Sequence, residues 1–100
     1  MSLGEKRRLE IAMALIADPQ VLLLDEPLAG LSEAEISEIL QVIRQHIHKQ
    51  TIIIVEHKIT RIQELAERFT VMNEGEIIAD GKYDDVINAP EVRKSYWKIG

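Results

Sequence analysis

Val21–Pro27 reads V-L-L-L-D-E-P, and this stretch decides the fold. Four apolar residues run straight into two carboxylates, Asp25 and Glu26, before Pro27 stops the segment. A continuous apolar run of this length predicts a strand buried on both faces, as in a parallel sheet. Ending a buried strand in two acids is costly unless positive charge sits there, such as a metal ion or a magnesium–nucleotide. The carboxyl ends of parallel strands are also where open α/β sheets bind ligands. Turn chemistry offers a plainer alternative, a solvated acidic turn ahead of a proline.

Upstream, Ser2 and Glu5 have the S-x-x-E spacing of a capping box, and an apolar helix is predicted from there through about Ala17. Asp18-Pro19 ends it, because the residue before proline avoids the α region. Ile11–Ala17 is apolar almost all round, which predicts heavy burial. Ser2, Leu3 and Gly4 ahead of a helix could hold a phosphate with backbone amides, although the capping box alone accounts for Ser2 and Glu5.

Downstream, Leu28–Leu31 forms a short loop and Ser32 caps a second helix, again with S-x-x-E spacing to Glu35. Ile36, Ile39, Leu40, Ile43 and Ile47 recur at helical spacing, leaving Glu33, Glu35, Glu38, Gln41, Arg44 and Gln45 outward. His46 and His48 read as charges near that helix's C-terminus. Thr51–Val55 (T-I-I-I-V) is expected as a second buried, β-branched strand, so strand, crossover helix and strand make a right-handed βαβ unit with parallel strands. Glu56-His57-Lys58 then falls on the same sheet edge as Asp25 and Glu26. A third helix is expected over roughly Ile59–Arg68, with Ile59, Ile62, Leu65 and Ala66 facing the core, then a hairpin from Phe69 to Asp80 turning at Glu74-Gly75. Short helices are expected at Asp84–Asn88 and Glu91–Trp97, the latter opened by Pro90. No repeat or low-complexity linker divides the chain, which reads as one unit.

The 100 residues, 46% hydrophobic and 29% charged, suit one small α/β domain or a piece of a larger one. A formal charge of −5 argues against a general polyanion binder, so no nucleic-acid partner is expected, while one nucleotide on amides and a metal is permitted. With no cysteine there is no disulfide or thiolate metal site, which fits the cytosol. The longest apolar run, Ile11–Ala17, is too short to span a bilayer and lacks a signal-peptide pattern, so membrane association is expected only through partners.

Asp25, Glu26 and His57 together form a constellation on one sheet edge. One carboxylate could hold Mg²⁺ through water, the second could polarise a nucleophilic water, and the histidine could touch a phosphate oxygen. Alone, His57 reads more readily as a satisfied loop histidine.

The order of the pieces is more specific than any one of them. S-L-G-E-K-R-R-L-E-I-A-M-A-L, V-L-L-L-D-E-P-L-A-G-L and I-I-I-V-E-H-K resemble the ATP-binding cassette (ABC) transporter ATPases. Ser2–Glu5 is similar to their signature motif, Val21–Pro27 to the Walker B strand, Leu28–Ser32 to the D-loop, and Glu56-His57 to the H-loop. The runs N-E-G-E-I-I-A-D-G and P-E-V-R-K-S-Y resemble the cassettes of branched-chain amino acid importers. The resemblance implies a partial P-loop NTPase-like sheet with parallel core strands, flanking helices and a C-terminal hairpin. It also implies an ATP- and Mg²⁺-dependent hydrolase working as a dimer of cassettes beside transmembrane permease subunits, at the inner face of the cell membrane. By that resemblance Asp25 would hold Mg²⁺ through water, and Glu26 would orient or deprotonate the attacking water. His57 would contact the γ-phosphate. Ser2, Leu3, Gly4 and Glu5 would face ATP bound by the opposite subunit, with Ser2 and Gly4 touching its γ-phosphate. Gly30 and Leu31 would lie in the D-loop at the dimer interface.

Three parts of the family pattern do not occur in the 100 residues. No G-x-x-x-x-G-K-[ST] phosphate loop (Walker A) is found, and the one Gly-Lys pair, Gly81-Lys82, is followed by Tyr83. The adenine-stacking aromatic and the glutamine loop, which precede the signature in the family, are missing too. The expectation is therefore the C-terminal part of a cassette, residues 1–100 from signature to C-terminus, with Met1 an internal start. Such a chain would be inactive alone, with one sheet edge and the Ile11–Ala17 helix poorly covered. The alternative is a non-catalytic half-cassette that binds or regulates a complete partner.

Overall fold

The computed structural model describes residues 1–57 and 59–94. Their order is α1 (Leu3–Ile16), β1 (Val21–Asp25), α2 (Glu33–Arg44), β2 (Thr51–Val55), α3 (Ile59–Ile62), β3 (Phe69–Asn73), β4 (Glu76–Gly81), α4 (Tyr83–Ile87) and α5 (Pro90–Val92). The chain divides into two compact units, Met1–Ile62 and Gln63–Gly100.

In the first unit β1 and β2 pair in parallel, in register from Val21 opposite Thr51 to Asp25 opposite Val55. Both long helices begin where the sequence places them. Ser2 accepts from the Glu5 amide and Glu5 reaches back to the Ser2 amide; Ser32 and Glu35 repeat the arrangement at α2. The core is the expected stripe of α2, with Ile36, Ile39, Leu40 and Ile43 buried beside Leu22 and Leu24. Ile47 lies half-buried past the helix end.

Four expectations are corrected here. β2 is not a buried strand: Ile52 and Ile54 are half-buried, and Ile53 is 49% exposed. β1 is buried on one face only: Leu22 and Leu24 point inward while Leu23 stays 65% exposed. Strand pleating puts successive side chains on opposite faces, and among the described residues only one of those faces is packed. The all-round apolar pattern of α1 likewise fails to translate into burial. Of Ile11–Ala17 only Ile11 is buried, and Met13 and Ile16 are exposed, as expected of a poorly covered helix. Finally, α3 is one turn long and does not run to Arg68. No Ser, Thr, Asp or Asn stands at its start, and a single turn gains little from its own hydrogen bonds.

In the second unit β3 and β4 form the expected antiparallel hairpin. Glu74 (φ 51°) and Gly75 (φ 80°) both adopt left-handed backbone, as a two-residue turn of this hand requires. A bulge between Val71 and Met72 shifts the register. Asp80 lies directly across from Thr70 and accepts from Thr70 Oγ1 (2.9 Å) and Arg68 Nε (2.9 Å). These bonds hold its carboxyl down at about 2. Phe69 meets Tyr83 of α4 edge to face, centroids 5.4 Å apart. Pro90 opens α5 as a first-turn proline, while Trp97, the expected end of that helix, lies outside the described residues.

Candidate functional site

Two of the sequence motifs converge at the carboxyl end of the parallel pair. Asp25 closes β1 and is exposed; Glu26 follows in left-handed backbone (φ 48°) and is half-buried. That conformation costs a non-glycine residue about 1–2 kcal/mol, so the surroundings must hold it. The Glu26 amide donates to the Val55 carbonyl at 2.7 Å, extending the β1–β2 ladder by one bond. Its carbonyl accepts from the Ala29 amide at 3.2 Å and from the Arg7 guanidinium at 2.9 Å. So fixed, the Glu26 side chain turns toward β2, and Oε1 lies 2.8 Å from His57 Nε2. The pair faces solvent, with the His57 side chain 82% exposed. Two carboxylates and an imidazole thus share one strand-end surface, as the sequence order implied.

Sequence reasoning gave no role to two residues that support this surface. Arg7, on α1, donates to the carbonyls of both Glu26 and Pro27 (2.9 and 2.6 Å). Glu56, at the end of β2, accepts from the Leu28 amide at 3.1 Å and from the His57 amide at 3.0 Å. Glu56 was visible inside the E-H motif, but nothing in spacing says which backbone amides a glutamate will take. Arg7 was visible only as the middle of a basic triplet.

A second group gathers at the N-termini of the two long helices. Gly4 is buried, and its amide donates to Glu35 Oε2 at 2.8 Å. A Cβ added at Gly4 would stand 2.7 Å from Glu35 Cδ and 2.8 Å from Cγ, so any larger residue there must displace the end of the Glu35 side chain. Glu35, expected to face outward, is instead half-buried and ties α1 to α2. Its carboxyl is pulled below the usual range by the Ser32 and Gly4 backbone bonds, as that of Glu5 is by the Ser2 backbone. Gly30 takes φ 76°, and a Cβ there would meet Leu3 Cδ2 at 3.0 Å. Leu31 is buried in its own chain, while Ala29 and Gly30 of this loop are exposed. His46 Nδ1 lies 3.0 Å from the Val42 carbonyl, the helix-end role expected of it.

The donor set suits a magnesium–nucleotide better than a free metal. Among the described residues no three His, Cys, Asp or Glu side chains gather as a metal cage. Magnesium is commonly held by one or two carboxylates plus substrate phosphates, which an exposed strand-end Asp25 fits. A cleft of about 340 Å³ between α1 and β1 touches Asp25 and is lined by Arg7 and Glu10 as well as by Ile11, Ala14 and Leu23. No described helix is long and apolar enough to cross a membrane.

Known proteins match the same pieces. Residues 1–29 match the ABC transporter family model. The chain is 35% identical over 99 residues to the high-affinity branched-chain amino acid transport ATP-binding protein LivG of Salmonella typhimurium, covering 96% of this chain and 38% of that protein. It is 44% identical over 103 residues to the energy-coupling factor transporter ATP-binding protein EcfA2 of Clostridium perfringens, covering 100% of this chain and 35% of that one. Among solved structures, the ADP conformation of an ATP-binding cassette of an ABC transporter superposes with a TM-score of 0.83 at 28% identity, covering 97% of this chain and 40% of the other. The chain thus spans well under half the length of the relatives it matches. Strand-end carboxylates, helix caps, sequence and fold agree: this chain has the sequence pattern and the α/β fold of part of an ABC transporter ATP-binding cassette.

Proposed function

We propose that this chain supplies the signature helix, Walker B strand and H-loop of an ATP-hydrolysing cassette in an ABC importer for branched-chain amino acids. The observation that carries the reading is the 2.8 Å contact of Glu26 with His57 beside Asp25, at the carboxyl ends of two parallel strands. In this reading ATP lies against that edge, with Asp25 and Glu26 both near its phosphates and Asp25 the one that would hold magnesium. Magnesium, held there through water, would neutralise charge on the phosphate oxygens. Glu26 orients or deprotonates the attacking water, and His57 turns from Glu26 to the γ-phosphate. The signature group acts on ATP of a second cassette: Ser2 and Gly4 offer donors there, and Glu35 must withdraw before the Gly4 amide can serve. Gly30, exposed beside Leu3, faces that second cassette. Permease subunits would hold the assembly at the inner membrane face, and the LivG likeness supports the solute class.

The phosphate grip of P-loop enzymes comes largely from the Walker A backbone and lysine, which these 100 residues do not include. Hydrolysis is therefore assigned to the chain only when completed by a Walker A-bearing part. The exposed Ser2 at the N-terminus of α1 also fits a second reading, a non-catalytic half-cassette that lends Ser2–Glu5 to a complete partner. Mixing the chain with the part of LivG upstream of the matched region, with ATP and magnesium, separates the two. Steady phosphate release supports the first; co-elution with a complete cassette that alters the partner's own hydrolysis, without release from the mixture, supports the second. Restored leucine uptake in cells lacking LivG would support the solute class.

A further inference from the structure

The peptide between Pro27 and Leu28 is held at both ends by opposite charges. Its carbonyl accepts from the Arg7 guanidinium at 2.6 Å, and its N–H donates to the Glu56 carboxylate at 3.1 Å. Arg7 spends a second bond on the Glu26 carbonyl, and Glu56 spends its other oxygen on the His57 amide. Four backbone groups, belonging to Glu26, Pro27, Leu28 and His57, are thereby fixed by two side chains. Both side chains are half-buried, and hydrogen bonds to ionised groups are stronger than neutral ones. The bonds span 19, 20 and 28 residues of sequence, so no local turn preference would make them.

We propose that Arg7 and Glu56 are positioning residues, a two-charge clamp that sets Glu26 against His57. Neither touches the reacting atoms. Arg7 holds the backbone on both sides of the Glu26–Pro27 bond, and so fixes where the Glu26 carboxylate emerges. Glu56 ties that same loop to the backbone of His57, so the two side chains share one frame. Because Arg7 stands on α1, whose first turn is Ser2–Glu5, the clamp also joins the signature group to Glu26 through one rigid helix. A change at one cassette's signature helix thus reaches that same chain's Walker B carboxylate. The inference deepens the reading under Proposed function and rests on it only for its catalytic consequence.

The test is a chemical-shift cycle on the 100-residue chain, which needs no nucleotide. Glu26→Gln moves the His57 ring signals in the otherwise unchanged chain, while the His46 and His48 signals report any spread of the effect. In Arg7→Ala or Glu56→Ala chains the same replacement is expected to move the His57 signals about threefold less, because the two side chains no longer share a frame. Arg7→Lys, which keeps one multi-donor nitrogen but lacks the planar guanidinium, is expected to fall between. Arg8→Ala removes a neighbouring charge paired with Glu38 at 3.4 Å and is expected to leave the coupling whole. Should Arg7→Ala not fold, as judged by the α2 amide signals, Arg7→Lys and Glu56→Ala carry the comparison. Undiminished coupling in the clamp variants, or equal loss in Arg8→Ala, overturns the clamp. In the assembly with the upstream LivG part, Arg7→Ala is expected to lower kcat roughly tenfold or more with KM for ATP little changed. Coupling lost with kcat intact would overturn the catalytic consequence. No hydrolysis by the unsubstituted assembly would instead remove the functional reading, and the shift cycle would still decide the clamp.

Discussion

Replacing Leu28 by alanine and, separately, Leu23 by alanine sets the structure against the sequence pattern. Leu23 sits in the middle of the apolar strand, whereas Leu28 is a loop residue beyond a proline. The structure reverses their importance: Leu28 is 0% exposed and Leu23 is 65% exposed. Cutting Leu28 back removes three carbons, about 2.4 kcal/mol of transfer free energy at ~0.8 kcal/mol per methylene. The residual cavity brings the loss to roughly 3 kcal/mol. Only about a third of the Leu23 side chain is out of water, so the same truncation there costs about 0.8 kcal/mol. The assay is urea unfolding followed by far-ultraviolet circular dichroism, at several protein concentrations and with the slope shared between variants. Roughly 3 kcal/mol is a large share of a small domain's stability, so Leu28→Ala should unfold at a much lower midpoint. Equal losses at the two positions would refute the one-faced strand, and a concentration-dependent loss at Leu23 would show that another chain covers it.

The remaining expectations follow from single contacts. Gly4→Ala should push Glu35 off the Gly4 amide, seen as faster hydrogen exchange at position 4 with the α2 core amides unchanged; unchanged exchange would refute the close approach. Gly30→Ala should cost about 1–2 kcal/mol from left-handed backbone alone, with Leu3 adding to it, measured by thermal unfolding. Asp80 titrates at about 2 in the folded chain against an ordinary value of 3.8. Its folded pKa is depressed, so its stabilisation is present above about 4 and is lost as pH falls toward 2. Asp80→Asn should therefore flatten the acid dependence of the hairpin in that window, read from Thr70 and Asp80 amide signals. The chain alone should release no phosphate from ATP, and steady release abolished by Glu26→Gln would contradict this.

The sequence spoke most clearly where local rules decide. The S-x-x-E boxes at Ser2 and Ser32, the α2 stripe and the Glu74-Gly75 turn each follow from short-range chemistry and appear where expected. Asp25, Glu26 and His57 came together because parallel pairing carries the ends of two strands to one edge. The failures of burial share a cause. How much of V-L-L-L or of Ile11–Ala17 is buried depends on what covers them, and an apolar run cannot say whether its cover lies within the same 100 residues. Glu35, Arg7 and Glu56 were equally hidden. A long charged side chain on a helix or strand end reads as solvated until the fold brings a free backbone amide or carbonyl within reach of it.

The most direct test of the hydrolytic reading is a single-turnover measurement on the chain assembled with the upstream LivG part. Bound ATP is expected to be cleaved by the unsubstituted assembly. The Glu26→Gln assembly is expected to bind ATP as tightly but to cleave it at least about a hundredfold more slowly. Cleavage at an unchanged rate with Glu26→Gln would contradict that reading.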